Sequence, residues 1–122
     1  MHMGETASGP AFNTVDALGR LMNNKNLYQK LLDKFVAGYS DYDEKLTKTV
    51  EEKNLDEGTH LAHTMKGLAG NLGAEALQEA SKNLEMLFKA GDASADFAPA
   101  LEAFVAELRR ALDEVKAGVN LG

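Results

Sequence analysis

The sequence contains no cysteine, no tryptophan and no isoleucine, and only two prolines among its 122 residues. Without cysteine there is no disulfide framework, no thiolate zinc site and no cysteine nucleophile. No apolar run approaches the roughly 20 residues that a membrane-spanning helix requires. The first residues also lack the basic and then apolar pattern of a signal peptide. We therefore expect a cytoplasmic protein that makes no membrane contact.

An excess of basic residues is also missing. Lysine and arginine number 13 against 19 aspartates and glutamates, which gives a formal net charge of −6. Nucleic-acid-binding domains usually present a basic face, so nucleic acid is not an expected partner. A chain of this length fits one domain and can bury a core without disulfides or a metal.

Alanine and leucine are abundant, with 18 and 17 residues, whereas valine numbers only six. Alanine and leucine favour helices, and β-branched residues favour strands, so the composition predicts an all-α fold. Apolar residues at helical spacing predict a short first helix from Thr14, its N-cap, to Met22, and a second from Leu27. The residues Ser40-Asp41-Tyr42-Asp43 resemble a capping box that opens the next helix.

Three longer helices follow, predicted over Leu55 to Leu72, over Ala74 to Ala90 and from near Ala95 to Gly118. Gly73 is expected to end the first of them, and Pro99 must lie in the first turn of the last. Short loops between amphipathic helices predict an antiparallel up-down four-helix bundle with an additional short N-terminal helix. We expect residues 1–11 to be a flexible tail or a cloning remnant, residues 12–118 to form the bundle and residues 119–122 to form a tail.

The helix over Leu55 to Leu72 carries an unusual polar face. A helical wheel places the core stripe on one side, formed by Leu61, Met65, Leu68 and Leu72. His60, His63, Lys66, Gly67 and Gly70 fall on the opposite side. A glycine inside a helix costs about 1 kcal/mol relative to alanine, so two on one face need a reason. They are poor surface residues, or they admit a closely crossing helix, or they clear space for something large that approaches His63.

The run His63-Thr64-Met65-Lys66-Gly67, with Gly73 ten residues after the histidine, resembles the signature of histidine-containing phosphotransfer (Hpt) domains. The surrounding segment AHTMKGLAGNLGAEAL is similar to that family almost throughout, and the resemblance covers roughly residues 12–117. It implies a four-helix bundle that shuttles a phosphoryl group between aspartates of receiver domains in two-component phosphorelays.

The resemblance also implies a set of site residues. His63 matches the phosphorylated histidine, Lys66 the basic residue beside the phosphate and Gly67 the small residue that clears space for docking. Glu85 falls where family members often carry a polar residue, commonly glutamine, that hydrogen-bonds the imidazole. Lys89 falls near a second basic position found in some members.

The chemistry of these residues supports the same interpretation. A free imidazole has a pKa of about 6.5 and keeps one lone pair when neutral. If Glu85 accepts a hydrogen bond from Nδ1–H, then Nε2 remains as the nucleophile. Lys66, one turn on, can reach the oxygens of a phosphoryl group on that nitrogen.

The sequence shows no Walker A motif, no kinase glycine-rich loop and no obvious carboxylate cluster for Mg²⁺. We therefore expect no cofactor and no ATP-dependent kinase site in this chain. The expected partners are receiver domains, which would supply the aspartate and Mg²⁺. A hybrid histidine kinase is a further candidate partner, and we expect a monomer.

Two other functions remain open from the sequence. One is a metal-binding helical bundle that uses His60 and His63, with Glu85 as a further candidate ligand. The other is a non-catalytic helical adaptor. Phe12, Val15 and Leu18 are expected to belong at least in part to the core, and otherwise to border a docking patch. The acidic pairs Glu51-Glu52 and Asp113-Glu114 are expected to be solvated surface.

Overall fold

The computed structural model describes residues 10–121, and all regular structure in this range is helical. The six helices are α1 (Thr14–Arg20), α2 (Lys25–Tyr39), α3 (Tyr42–Glu51), α4 (Leu55–Leu72), α5 (Glu75–Lys89) and α6 (Ala98–Ala117). Helices α2 and α3 both pack on α4 and α6, so they form one side of the bundle, and α5 packs between α4 and α6. The predicted all-α bundle with a short extra N-terminal helix is therefore confirmed. Residues 1–9 of the predicted tail lie outside the described residues.

Asparagines begin three of the helices. The side chains of Asn13, Asn24 and Asn54 each accept a hydrogen bond from a backbone N–H in the first turn of α1, α2 and α4. Asparagine suits this position because its side chain is short, and its oxygen reaches backbone N–H groups that would otherwise be unpaired. The N-cap of α1 is thus Asn13 rather than the predicted Thr14, and α2 begins two residues before the predicted Leu27.

The predicted capping box at the start of α3 does not form. Ser40 is still helical, because it directly follows the last turn of α2, and Asp41 makes no side-chain cap hydrogen bond. A capping side chain needs an extended backbone at its own position. Asp43 instead lies 3.4 Å from Arg109 of α6 and helps to connect the two helices.

The end of α4 is held by contacts with α1 and α2. Gly73 ends the helix in the left-handed conformation, as predicted, with φ of 80°. Its carbonyl accepts a hydrogen bond from the N–H of Asn13 at 2.7 Å. The buried Tyr28 hydroxyl donates to the Leu72 carbonyl at 2.6 Å, and burial raises the pKa of Tyr28 to about 12. Pro99 lies in the first turn of α6, as predicted.

The N-terminal segment is fixed to α6. Ala11 and Phe12 are buried, and their N–H groups donate to the Glu114 carboxylate at 2.9 and 3.3 Å. The packed body therefore begins at Ala11, which the sequence placed in the tail. Glu114 is a half-buried anchor rather than solvated surface, because it satisfies these backbone donors.

Of the apolar N-terminal residues expected in the core or beside a docking patch, some are buried and one is exposed. Leu18 is buried along with Phe12, whereas Val15 is 82 % exposed. At the other end, Val119 and Leu121 of the predicted tail pack partly against the core.

Small residues on α4 allow α5 to approach closely. Gly58, Ala62 and Ala69 are buried on the core side of α4, and the ring of Phe88 lies directly over Gly58. A Cβ at Gly58 would be only 2.3 Å from a ring carbon of Phe88. Gly58 was not among the predicted core residues, but it lies one turn before Leu61 on the same buried side of α4. This close packing brings the polar edge of α5 next to the exposed face of α4.

We predict opposite effects of alanine at two glycines of α4. Gly58→Ala should lower the free energy of unfolding by about 1–2 kcal/mol, because forcing a methyl group into Phe88 outweighs the gain in helix propensity. Gly67→Ala should raise it by up to about 1 kcal/mol, because nothing lies within 4 Å of a Cβ there. Urea denaturation of both variants tests this, and a stabilised Gly58→Ala protein would contradict the packing.

Candidate functional site

His63 lies near the middle of α4, on the face opposite the core. Its side chain is 64 % exposed, whereas Leu61, Ala62 and Met65 around it are buried. The wheel prediction is therefore confirmed for His63. A rigid helix presents the imidazole ring to the outside of the bundle.

Glu85 of α5 is buried directly beside this ring. Only 3 % of its side chain is exposed, and Oε2 lies 2.7 Å from Nδ1 of His63. Its neighbour Leu84 is buried in the core. Glu85 therefore lies at the seam between α4 and α5, where it is covered by side chains that themselves reach solvent.

Two lysines complete the cluster around Glu85. Nζ of Lys66 lies 2.6 Å from Oε1, and Nζ of Lys89 lies 3.5 Å from Oε2. Lys66 comes one turn after His63 on α4, and Lys89 comes one turn after Glu85 on α5. The structure thus brings together four of the five site residues that the resemblance implied.

These contacts keep the Glu85 carboxyl ionised. The hydrogen bond from Lys66 is the largest cause that lowers its pKa, to about 2, and it outweighs burial, which raises the pKa. Hydrogen bonding with His63 and the charge of Lys89 lower it further. An ionised carboxylate can only accept hydrogen bonds, so Nδ1 of His63 must be the donor. In the neutral ring the lone pair then resides on Nε2, which has no hydrogen-bond partner within residues 10–121.

The two glycines of the exposed face have different surroundings. Gly67 follows His63 by one turn, and a Cβ built there meets nothing within 4 Å. At Gly70 a Cβ would lie 2.7 Å from Nε2 of Gln78, and the Gly70 carbonyl accepts a hydrogen bond from Arg20. Of the three alternatives for these glycines, open space therefore fits Gly67, whereas at Gly70 the side chain of Gln78 from the neighbouring α5 occupies the room.

Comparison with known protein families gives a match over most of the chain. The family model for the Hpt domain matches residues 30–118, which include all five site residues. The chain belongs to the Hpt domain family. Hpt domains are phosphocarrier modules of two-component signalling and work with receiver domains and kinases. No curated protein and no solved structure matched the chain.

The metal-site alternative finds no support from the geometry of this Hpt domain. Among residues 10–121, no three histidine, aspartate or glutamate side chains are grouped so that they could hold a metal ion. His60 is exposed one turn before His63, while both oxygens of Glu85 face lysines. In the same range, no helix is long and apolar enough to cross a bilayer.

Sequence reasoning missed Arg20. This residue of α1 forms an ion pair with Asp16 of the same helix at 2.9 Å. It also donates a hydrogen bond to the Gly70 carbonyl of α4. It therefore fixes α1 beside the helix of the Hpt domain that carries His63. No local pattern signals this contact, because it depends on how α1 packs against the end of α4.

The low pKa of Glu85 predicts a pH-dependent contribution to stability. Folding lowers this pKa from 4.5 to about 2, so the contribution is fully present above pH 4.5 and is lost as the pH falls through 2. Between about pH 5 and pH 2, the free energy of unfolding should fall more steeply in the wild type than in Glu85→Gln. Glu79→Gln, which changes an exposed glutamate of α5, is the control. Parallel curves for wild type and Glu85→Gln would contradict the cluster.

Proposed function

We propose that this Hpt domain accepts a phosphoryl group on Nε2 of His63 from a receiver phosphoaspartate or a kinase, and passes it to another receiver aspartate. The contact between His63 and Glu85 is the observation that carries the proposal. It pairs an exposed ring with a buried, ionised carboxylate that leaves Nε2 as the nucleophile. An incidental surface histidine would not need a buried carboxylate to hold its tautomer.

In the proposed transfer one bond forms, one bond breaks and no proton has to leave the ring. The Nε2 lone pair forms the N–P bond while the P–O bond to the aspartate breaks, and the aspartate leaves as a carboxylate. The Nδ1 proton stays in place, so the ring becomes an imidazolium. The Glu85 carboxylate, 2.7 Å from Nδ1, stabilises this developing positive charge by a charge-assisted hydrogen bond.

Positive charge near the ring stabilises the phosphorylated form of His63. Phosphorylation adds nearly two negative charges, and Lys66 and Lys89 both lie close to the carboxylate that His63 contacts. An ion pair between such a lysine and a phosphoryl group on the exposed ring contributes about 1 kcal/mol or less. The lysines therefore bias the geometry and cannot drive the reaction alone.

The partner completes the chemistry in this proposal. Phosphoryl transfer relies on in-line positioning and on a metal ion that spreads charge. We assign the aspartate and Mg²⁺ to the receiver, because the groups around His63 are two lysines and one carboxylate already paired with them. The Hpt domain then contributes an accessible imidazole on a rigid helix, as a monomer in the cytoplasm.

We predict that His63→Gln folds normally and accepts no phosphate from a phosphorylated receiver, because the nucleophile is removed. His60→Gln, which alters the other exposed histidine of the same face, should still be labelled. The label should be lost in acid and kept in alkali, as for an N–P bond. Radioactive transfer followed by gel electrophoresis measures this, and normal labelling of His63→Gln would overturn the assignment.

ATP with Mg²⁺ alone should leave the purified protein unlabelled. The reason is that the sequence shows neither a Walker A motif nor a kinase glycine-rich loop. Stoichiometric self-labelling would contradict the role of a carrier without its own kinase site.

Gly67 provides a separate test of docking space. Gly67→Gln should keep or raise the melting temperature, because the position is open and helical and glycine is a poor helix former. Its long side chain would occupy the volume beside His63 that an approaching receiver needs, so transfer should fall about tenfold or more. Gly67→Ala is the matched control with a short side chain. A stable Gly67→Gln protein with full transfer would show that the glycine clears no docking space.

A further inference from the structure

We propose that the two lysines of the cluster have separate tasks. Lys66 stays on Glu85 as a positioning residue before and after phosphorylation, and Lys89 moves to the phosphoryl group when His63 carries one. The inference rests on the proposed function only in that the phosphoryl group is on Nε2 of His63. It reverses the role that the family resemblance implied for Lys66.

The two lysines contact different oxygens of Glu85. Lys66 lies 2.6 Å from Oε1, within the range of a short charge-assisted hydrogen bond. Lys89 lies 3.5 Å from Oε2, the oxygen that also contacts Nδ1 of His63. Lys89 is therefore the more loosely held cation, and its ammonium lies on the side of the carboxylate that faces the ring.

Burial makes the loss of Lys66 more costly than the loss of Lys89. Glu85 is 3 % exposed, and a buried carboxylate needs a cation or several hydrogen bonds to stay ionised. Lys66 is only 32 % exposed, whereas Lys89 is 63 % exposed and already reaches solvent. The hydrogen bond from Lys66 is also the largest cause that lowers the pKa of Glu85, while Lys89 contributes by charge alone.

Phosphorylation places a second anion next to Glu85. If Lys66 left for the phosphoryl group, the buried carboxylate would lose its closest cation at the moment when a like charge appears beside it. If Lys89 leaves instead, each anion keeps one lysine. The flexible four-carbon side chain of Lys89 allows this movement. Its backbone is fixed on α5, one turn after Glu85, so the ammonium group stays close to the ring.

The first experiment concerns the unphosphorylated protein. Lys66→Gln should raise the pKa of Glu85 and reduce the population of the His63 tautomer that carries hydrogen on Nδ1, and Lys66→Arg should restore both. Lys89→Gln should change both quantities less than Lys66→Gln does, and Lys82→Gln, which removes an exposed lysine from the same helix, is the control for the loss of charge alone. Carboxyl ¹³C and imidazole ¹⁵N NMR titrations measure the two quantities.

The second experiment uses phosphoramidate as a small-molecule donor, so that no receiver is needed. Nε2 forms the N–P bond, the P–N bond of the donor breaks, and the nitrogen leaves as ammonia. Lys89→Gln should raise the pKa of the phosphoryl group in a ³¹P titration by up to about 0.7, the value for an exposed ion pair. Lys66→Gln and Lys82→Gln should each raise it by less.

Either experiment can overturn the inference. It fails if Lys89→Gln alters Glu85 and His63 as strongly as Lys66→Gln does. It also fails if Lys66→Gln produces the larger change in the phosphoryl pKa. Failure of the proposed function is distinguishable, because phosphoramidate would then label His63 while no phosphorylated receiver does, and the NMR comparison of the lysines would still decide their roles.

Discussion

A buried carboxylate that must stay ionised is the constraint on which the site depends. Glu85 is almost fully covered, yet its pKa is held at about 2. An isolated charge would not persist there, so cations and a hydrogen-bond donor have to meet at one point between α4 and α5. The imidazole of His63 is that donor, and its tautomer follows from the charge beneath it. The orientation of an exposed imidazole is thus determined by a residue that solvent barely reaches.

The bundle supplies this arrangement through small residues on α4. Gly58 admits the ring of Phe88 on the core side, and this close approach brings Glu85 to His63. Gly67 has no such packing role, because its surroundings are open. The two glycines therefore differ: Gly58 allows close contact between two helices. Gly67 leaves the surface one turn after His63 open, at a cost in helix propensity of about 1 kcal/mol.

The helices and the exposed position of His63 could be predicted from the sequence, because both follow from periodicity within one segment. The capping asparagines were not predicted. At the start of α1, Asn13 and Thr14 are both good caps, and the choice between them depends on backbone conformation. Arg20 and Glu114 could not be assigned, because their partners lie 50 and about 100 positions away in the chain. The partner of Lys66 was also not predictable, since a lysine at the surface and one turned onto a buried carboxylate look alike in sequence.

The decisive measurement is to identify the nitrogen atom that carries the phosphoryl group. In protein labelled with ¹⁵N at histidine and then phosphorylated, coupling between ³¹P and ¹⁵N identifies the atom that is bonded to phosphorus. We expect Nε2 of His63, because the Glu85 carboxylate occupies the Nδ1 side of the ring. A phosphoryl group on Nδ1 of His63, or on His60, would contradict it.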